Sequence, residues 1–294
     1  MSRAAVVANP ARRSNRARLR TLVCAAMARH GWGEPLWLET SAGDPGERMA
    51  RTAVQAQVDL VLASGGDGTV TACAAALAGS GIPLAVLPAG TGNLLARNLG
   101  LPLALDDALA VALTGADRYL DVGVANGRPF LVMAGIGFDA RALDSSQRLK
   151  KNLGWGAYYA AALGHLRDKP MGVQLRADSR APVRLRASAL IIGNVGSLPG
   201  GVALLPDARP DDGLLDLVAV TAQGLAGWFA VGTGLLLRHG TAQLARMTFR
   251  ELHVRLDGEQ PWQLDGESMG RASQLKVTVQ AGQLLLRGPA LAAS

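Results

Sequence analysis

Within six residues, Ser64-Gly65-Gly66-Asp67-Gly68-Thr69 gathers three glycines, a carboxylate and two hydroxyls. Glycine lets a backbone approach a ligand closely and take left-handed angles. A turn that opens a helix also presents unpaired N–H groups to an anion. The chemistry this suits is the cradling of phosphate. The spacing is neither G-x-G-x-x-G nor G-x-x-x-x-G-K-[ST], so the dinucleotide and P-loop patterns are excluded at the residue level. A second turn of the same kind follows at Pro88-Ala89-Gly90-Thr91-Gly92-Asn93, and Asn9-Pro10 is followed by the cations Arg12, Arg13 and Arg16.

Turns like these need parallel strands behind them. Short apolar runs at Ala4–Ala8, Pro35–Glu39, Val58–Ala63 and Ile82–Leu87 alternate with helical patterns at Arg16–His30 and Thr69–Ala78. Asp44-Pro45-Gly46-Glu47 predicts a helix start, with Asp44 as the cap, Pro45 in the first position and Glu47 completing a capping box. Strands separated by helices require right-handed crossovers, hence a parallel sheet covered on both faces. Its carboxyl edge, where open α/β folds bind ligands, would then receive both glycine turns together with Asn9 and Thr40.

From Tyr119 onward the texture changes. Tyr119–Ala125 and Arg128–Ala134 flank Asn126-Gly127, the strongest hairpin signal in the chain. Further strands are expected at Gly172–Ala177, Val183–Ile192, Leu214–Val220, Glu251–Leu256, Gln274–Gln280 and Leu284–Leu286, with helices at Ser145–Leu166 and Gly224–Arg238. A β-rich second domain is the simplest account.

Composition narrows the classes. The 294 residues are 49% apolar and 18% charged, enough to build packed cores and to exclude disorder throughout. The net charge of +7 favours anionic partners, but 4% aromatics and no recognition motif leave nucleic acid unexpected. Two cysteines, Cys24 and Cys73, form neither a disulfide framework nor a four-Cys zinc site, and both read as small buried hydrophobes. The first residues lack the long apolar core of a leader, and the uncharged stretches are short or broken by Gly and Pro. A soluble, cytoplasmic protein is expected.

The ordered motifs resemble the catalytic domain of the diacylglycerol and sphingosine kinase family, in its single-chain bacterial lipid-kinase form. The residues that carry the resemblance are Gly65-Gly66-Asp67-Gly68-Thr69 followed by Pro88-x-Gly90-Thr91-x-Asn93. Asn9-Pro10, Gly135-Ile136-Gly137-Phe138-Asp139-Ala140, Gly200-Gly201, Asp211-Asp212-Gly213-Leu214-Leu215-Asp216 and Asp265-Gly266-Glu267 follow in the family's order and span nearly the whole chain. One departure is Leu94, where many diacylglycerol-kinase-like members have Asp; sphingosine-kinase-like members have small or apolar residues there.

That resemblance implies an α/β + β architecture of the NAD-kinase/diacylglycerol-kinase type. Residues 1–120 would form a parallel-sheet α/β nucleotide-binding domain, with a strand in 284–294 returning to it, and residues 121–283 a β-sandwich lipid-substrate domain. It implies ATP and Mg²⁺, with phosphoryl transfer to a lipid hydroxyl in the interdomain cleft. Asn9, Thr40, Gly65, Gly66, Asp67, Gly68, Thr69, Thr91 and Glu267 would line the ATP site, and Asp265 would be the general base. Asp67 either serves the reaction, through water on Mg²⁺ or by orienting the substrate hydroxyl, or caps a helix. Asp211, the Leu214 carbonyl and Asp216 would hold a Mg²⁺ away from the transferred phosphate, a set of hard oxygen donors. Asp257-Gly258-Glu259 repeats the late motif, so Asp257 is the alternative base, and either Asp-Gly could be a hairpin turn.

The acceptor is left open among diacylglycerol, ceramide, sphingoid bases and related lipids. An NAD kinase and a non-catalytic lipid- or nucleotide-binding regulator are the competing readings. Peripheral contact with the inner face of the membrane is expected through Arg141, Arg148, Lys150 and Lys151 beside Trp155, Tyr158 and Tyr159, and a homodimer is allowed.

Overall fold

The computed structural model describes residues 2–12, 16–137, 170–197, 204–221 and 244–289. The expected helices at Ser145–Leu166 and Gly224–Arg238, the pair Gly200-Gly201, Phe138–Ala140 and the proposed membrane-contact cluster lie outside the described residues. The chain divides into unit 1, Met1–Val122 with Ala281–Ser294, and unit 2, Gly123–Gln280.

Unit 1 is built on four parallel strands, β1 (Ala4–Ala8), β2 (Leu36–Glu39), β3 (Leu60–Gly65) and β4 (Leu84–Pro88), in the order β4-β3-β1-β2. β1, β3 and β4 are buried along their whole length. Their side chains alternate between faces, so continuous apolar runs require helices on both sides. One layer packs Leu19, Val23 and Met27 of α1 (Arg16–Arg29) and Leu109 and Leu113 of α5 (Leu105–Thr114) on Val6, Leu60, Leu62 and Leu87. In the other layer α2 (Glu47–Gln55) packs on α3 (Asp67–Leu77), burying Met49, Ala53, Val70, Cys73 and Leu77. The sheet gains a further strand where Leu286 pairs in parallel with Leu84.

Two local expectations change. The helix expected at Asp44 begins at Glu47, because Gly46 takes φ 144° and Asp44 Oδ1 accepts the Gly46 N–H at 3.0 Å. Asp44 closes the turn before the helix instead of capping it. Cys73 is buried, and that burial, reinforced by the Asp44 charge, pushes its thiol up to about 12, an inert packing residue. Cys24 is only half-buried.

Unit 2 is antiparallel. β5 (Ala116–Ala125) enters it and turns through Asn126 and Gly127, both at positive φ, into β6 (Arg128–Phe130). β7 (Met133–Ile136), β10 (Ala189–Gly193), β11 (Leu215–Val220) and β12 (Leu244–Phe249) form consecutive pairs. β8 (Met171–Ala177) pairs with β9 (Val183–Ala187). β13 (Glu251–Leu264) links the two groups: Leu252–Leu256 pair with β8, and Trp262–Leu264 pair with β7. A register irregularity between Arg255 and Gln260 lets one strand serve both groups, the device by which sandwiches turn corners. Phe130, Ile136, Leu190, Leu217, Phe249, Val254, Trp262 and Val277 fill the core between them.

The two C-terminal strands expected from sequence are one strand, β14 (Glu267–Gly288), whose first part pairs with β13 in unit 2 and whose last part belongs to unit 1. Within unit 1, Gly282, at φ 59°, donates its N–H to Asp121 Oδ1, and Arg287 forms an ion pair with Asp117. The run Val183–Ile192 is conversely two strands, interrupted at Ser188.

Candidate active site

Parallel pairing sets the first group of residues. Gly65 and Pro88 are register partners at the ends of β3 and β4, and Ala89 N–H extends the ladder to Gly65 carbonyl at 2.9 Å. Asn9 N–H reaches Ser64 carbonyl at 2.8 Å, and Thr40 N–H reaches Ala8 carbonyl at 2.9 Å. All of these lie on the carboxyl edge of unit 1, so Asn9, Thr40, Gly65–Thr69 and Thr91 share one rim. Thr40 and Thr69 are buried there and Thr91 is exposed.

The two glycine turns are packed against one another. A Cβ on Gly90 would stand 2.7 Å from Gly66 Cα, and one on Gly65 would stand 2.5 Å from Thr69 Cβ. Asn93, left-handed at φ 49°, starts the short helix α4 (Leu94–Asn98). Its side chain closes the second turn by accepting Gly90 N–H and donating to Gly90 carbonyl, both at 2.9 Å. The N-cap of α3 is Gly66, which has no side chain to bond with, and Asp67 Oδ1 accepts Leu94 N–H across the gap. The carboxylate thus ties the start of α3 to the start of α4. Leu94 and Leu95 are buried, which gives the apolar residues after Asn93 a packing role.

Ser64, which opens the first glycine motif but is not among the expected ATP-site residues, also belongs to this rim. Ser64 is 1% exposed, and its Oγ has no hydrogen-bond partner among the described residues. A buried hydroxyl left unsatisfied is costly. The one sequence signal is a hydroxyl ending an otherwise aliphatic strand, Leu60-Val61-Leu62-Ala63-Ser64. The start of α3, the side-chain-free approach at Gly65 and Gly90, and this orphaned hydroxyl together fit a bound polyphosphate.

Unit 2 carries the remaining candidates. Asp265 and Gly266, at φ 47° and 87°, form the two-residue turn between β13 and β14, with Leu264 opposite exposed Glu267. The Asp265 carboxylate is held by backbone: Oδ1 accepts Val132 and Met133 N–H and Oδ2 accepts Leu131 N–H, each at 2.9 Å. An ionised carboxylate, acceptor-only, matches those three donors. Asp257, by contrast, sits in the irregular middle of β13, where its Oδ2 accepts Gly172 N–H at 2.8 Å. Only one of the two Asp-Gly pairs is therefore a hairpin turn.

Asp211 and Asp212 are exposed, Leu214 and Asp216 half-buried, and Leu214 N–H is held by Asp212 Oδ1 at 3.0 Å. Burial, then repulsion from Asp212 and Asp207, raises the Asp216 pKa from 3.8 to about 6. Negative charge that lacks compensation and is carried on hard oxygens fits a divalent cation. Among the described residues no three His, Cys, Asp or Glu side chains converge on a metal position by themselves, so backbone carbonyl and water would complete the shell.

The sign of this shift gives a stability prediction. With its folded pKa raised to about 6 from an ordinary 3.8, Asp216 costs the fold nothing at low pH. Its cost grows as pH rises through that window and stays in full above it. Asp216→Asn is therefore expected to raise the melting temperature at pH 7.5, with the gain shrinking toward zero below pH 4. Millimolar Mg²⁺ should stabilise the native chain at pH 7.5 more than the variant. Thermal melts across that range check both, and a variant no more stable than the native chain at pH 7.5 contradicts the reading.

Comparison with known proteins gives consistent matches. Residues 3–125 match the diacylglycerol kinase catalytic domain, and residues 132–286 match the YegS C-terminal NAD kinase beta sandwich-like domain. A Pseudomonas aeruginosa protein named "Probable lipid kinase YegS-like" is 37% identical over 258 residues, covering 82% of this chain and 83% of its own. A Mycobacterium tuberculosis protein named "Diacylglycerol kinase" is 34% identical over 216 residues, 71% of this chain and 66% of its own. The crystal structure of a diacylglycerol kinase from Bacillus anthracis shares the fold, with a TM-score of 0.79 at 23% identity over 98% of this chain and 96% of that one. Among the described residues no helix is long and apolar enough to cross a membrane.

Proposed function

The chain belongs to the diacylglycerol kinase family of ATP-using lipid kinases, and on that premise we propose that it transfers the γ-phosphate of Mg²⁺-bound ATP to the hydroxyl of a membrane lipid of the diacylglycerol class. The observation that carries the proposal is the pair of glycine turns closed on one another at Gly66 and Gly90, beside a Ser64 hydroxyl with no partner among the described residues. Diacylglycerol comes first among acceptors because a relative with 34% identity bears that name.

In this reading the turn Gly65–Thr69 holds the phosphates through N–H groups at the start of α3, with Asn9, Thr40 and Thr91 completing the site on the rim of unit 1. Phosphoryl transfer is mainly positioning and neutralisation of charge, which such a cradle provides. Mg²⁺ with the nucleotide would neutralise phosphate charge. Asp67, placed where the two turns are joined, keeps them in register and faces the nucleotide side of the reaction. Asp265 acts as general base on the lipid hydroxyl, and its three backbone donors hold the carboxylate in place. Asp211, Leu214 carbonyl and Asp216 would hold a second Mg²⁺ with a structural role. The protein would work at the cytoplasmic face of the membrane, where its acceptor resides.

The test is an acceptor panel with ATP and Mg²⁺: diacylglycerol, ceramide and sphingosine in mixed micelles, and NAD in solution. Mass spectrometry should find phosphatidic acid formed from diacylglycerol at least tenfold faster than any other product. NADP as the main product would overturn the proposal, as would four unreacted acceptors in the presence of bound ATP.

A further inference from the structure

Four neighbouring strands of unit 2, in the order β9-β8-β13-β14, turn one face to the core and the other to solvent. Val173, Leu175, Leu252, Val254, Leu275 and Val277 are buried. By strand alternation, Gln174, Arg176, His253, Arg255, Gln274 and Lys276 occupy the opposite face. Register places Arg184, Gln174, Arg255 and Gln274 in one cross-strand row and Arg176, His253 and Lys276 in the next. A groove of about 430 Å³ runs through these rows, lined by Arg176, Arg255, Lys276 and His253 among others.

The charge of this face is unbalanced. Glu251 offsets Lys276, whose Nζ it holds at 3.1 Å, and binds His253 Nε2 at 2.7 Å, while Asp257 holds Gly172 N–H, so neither carboxylate pairs with the three arginines. Arg176, Arg184 and Arg255 are exposed and make no ion pair or hydrogen bond with any described residue. Like charges close together on a sheet face are unfavourable, so this arrangement favours an anion from outside.

We propose that this face docks the protein on an anionic phospholipid bilayer. The proposal rests on the lipid-kinase reading for its choice of partner, since the acceptor lies in a bilayer. The spread of charge supports that choice. Arg184, Arg176, Arg255 and Lys276 stand on four successive strands, which at about 4.8 Å per strand extend over roughly 14 Å. One phosphate does not reach that far, whereas a plane of repeating headgroups does. The outward positions in these rows carry no Phe, Tyr or Trp on which bases could stack, which favours a membrane over single-stranded nucleic acid.

The experiment is sedimentation of the 294-residue chain with vesicles of phosphatidylcholine, with and without phosphatidylglycerol. Binding should require phosphatidylglycerol and weaken as salt rises. Each arginine near an anionic surface contributes about fivefold to partitioning, so R176Q/R184Q/R255Q should bind roughly a hundredfold more weakly. Glu251→Gln, which releases Lys276 and His253, should bind more tightly. Activity toward short-chain diacylglycerol dispersed in solution should be unchanged in the triple variant. This separates the two readings, because vesicle binding that depends on the arginines would stand even if no lipid were phosphorylated. Equal binding by the native chain and the triple variant overturns the docking face, as does equal binding to neutral vesicles. So does tighter arginine-dependent binding to DNA, or to glycerol phosphate in solution, than to vesicles.

Discussion

Gly65→Ala is expected to lower kcat/KM for ATP at least a hundredfold and to weaken ATP binding measured by calorimetry to a similar degree. The added methyl would stand 2.5 Å from Thr69 Cβ and 2.6 Å from its Oγ1, distances that real contacts do not reach. Thr69 cannot easily yield. It is buried, it is stiff at χ1 as a β-branched residue, and its hydroxyl is bonded to Asn9 Nδ2 at 3.4 Å. Backbone must therefore move, at a cost of about 1–3 kcal/mol in stability, and a shift of about 1 Å in a phosphate-holding turn is worth roughly a hundredfold in rate. Gly90→Ala should behave alike, since its methyl would meet Gly66 Cα at 2.7 Å and pry the two turns apart. Values within threefold of the native chain for both variants would remove the cradle from the mechanism.

Asp265→Asn is expected to abolish turnover, by about 10²–10⁴-fold, while ATP affinity stays within a few-fold. The substitution keeps the left-handed backbone, which Asn tolerates at φ 47°. It replaces one acceptor oxygen by an NH₂ group facing backbone N–H donors, so a loss of roughly 2 kcal/mol in stability should accompany it. Asp257→Asn keeps an amide oxygen that can accept the Gly172 N–H and should leave turnover nearly intact. Measuring kcat at a temperature where both variants remain folded separates the effects. If the Asp265 variant loses only the activity its unfolded fraction explains, the carboxylate is a brace for the β13–β14 turn and not the base.

How far the sequence reaches differs along the chain. Ala4–Ala8 and Leu60–Gly65 are legible because a strand buried on both faces must be apolar throughout, and the Asn126-Gly127 hairpin because its turn requires positive φ at both residues. Convergence of the two glycine turns follows from parallel topology alone. Their mutual closure does not: the bond from Leu94 N–H to Asp67 joins residues 27 apart, and no local pattern announces it. Asp44 illustrates a nearer failure, because the capping pattern is present but Gly46 delays the helix. Between Asp257-Gly258 and Asp265-Gly266 the sequence favours the second only through the strand-like run Gln274–Gln280 that follows it; what differs in the fold is the partner, a bulged continuation in one case and a reversal into β14 in the other. β12, α4 and α5 escape sequence reading altogether, being short or, in α5, apolar through most of its length.

The central claim is that the γ-phosphate of ATP passes to a lipid hydroxyl. Parallel reactions with ATP labelled at the α or the γ position, Mg²⁺ and diacylglycerol micelles, followed by organic extraction, test it most directly. Label should enter the organic phase from the γ position only, and Gly65→Ala should suppress it. Extractable label from the α position, or none from the γ position while ATP remains bound, would contradict the account.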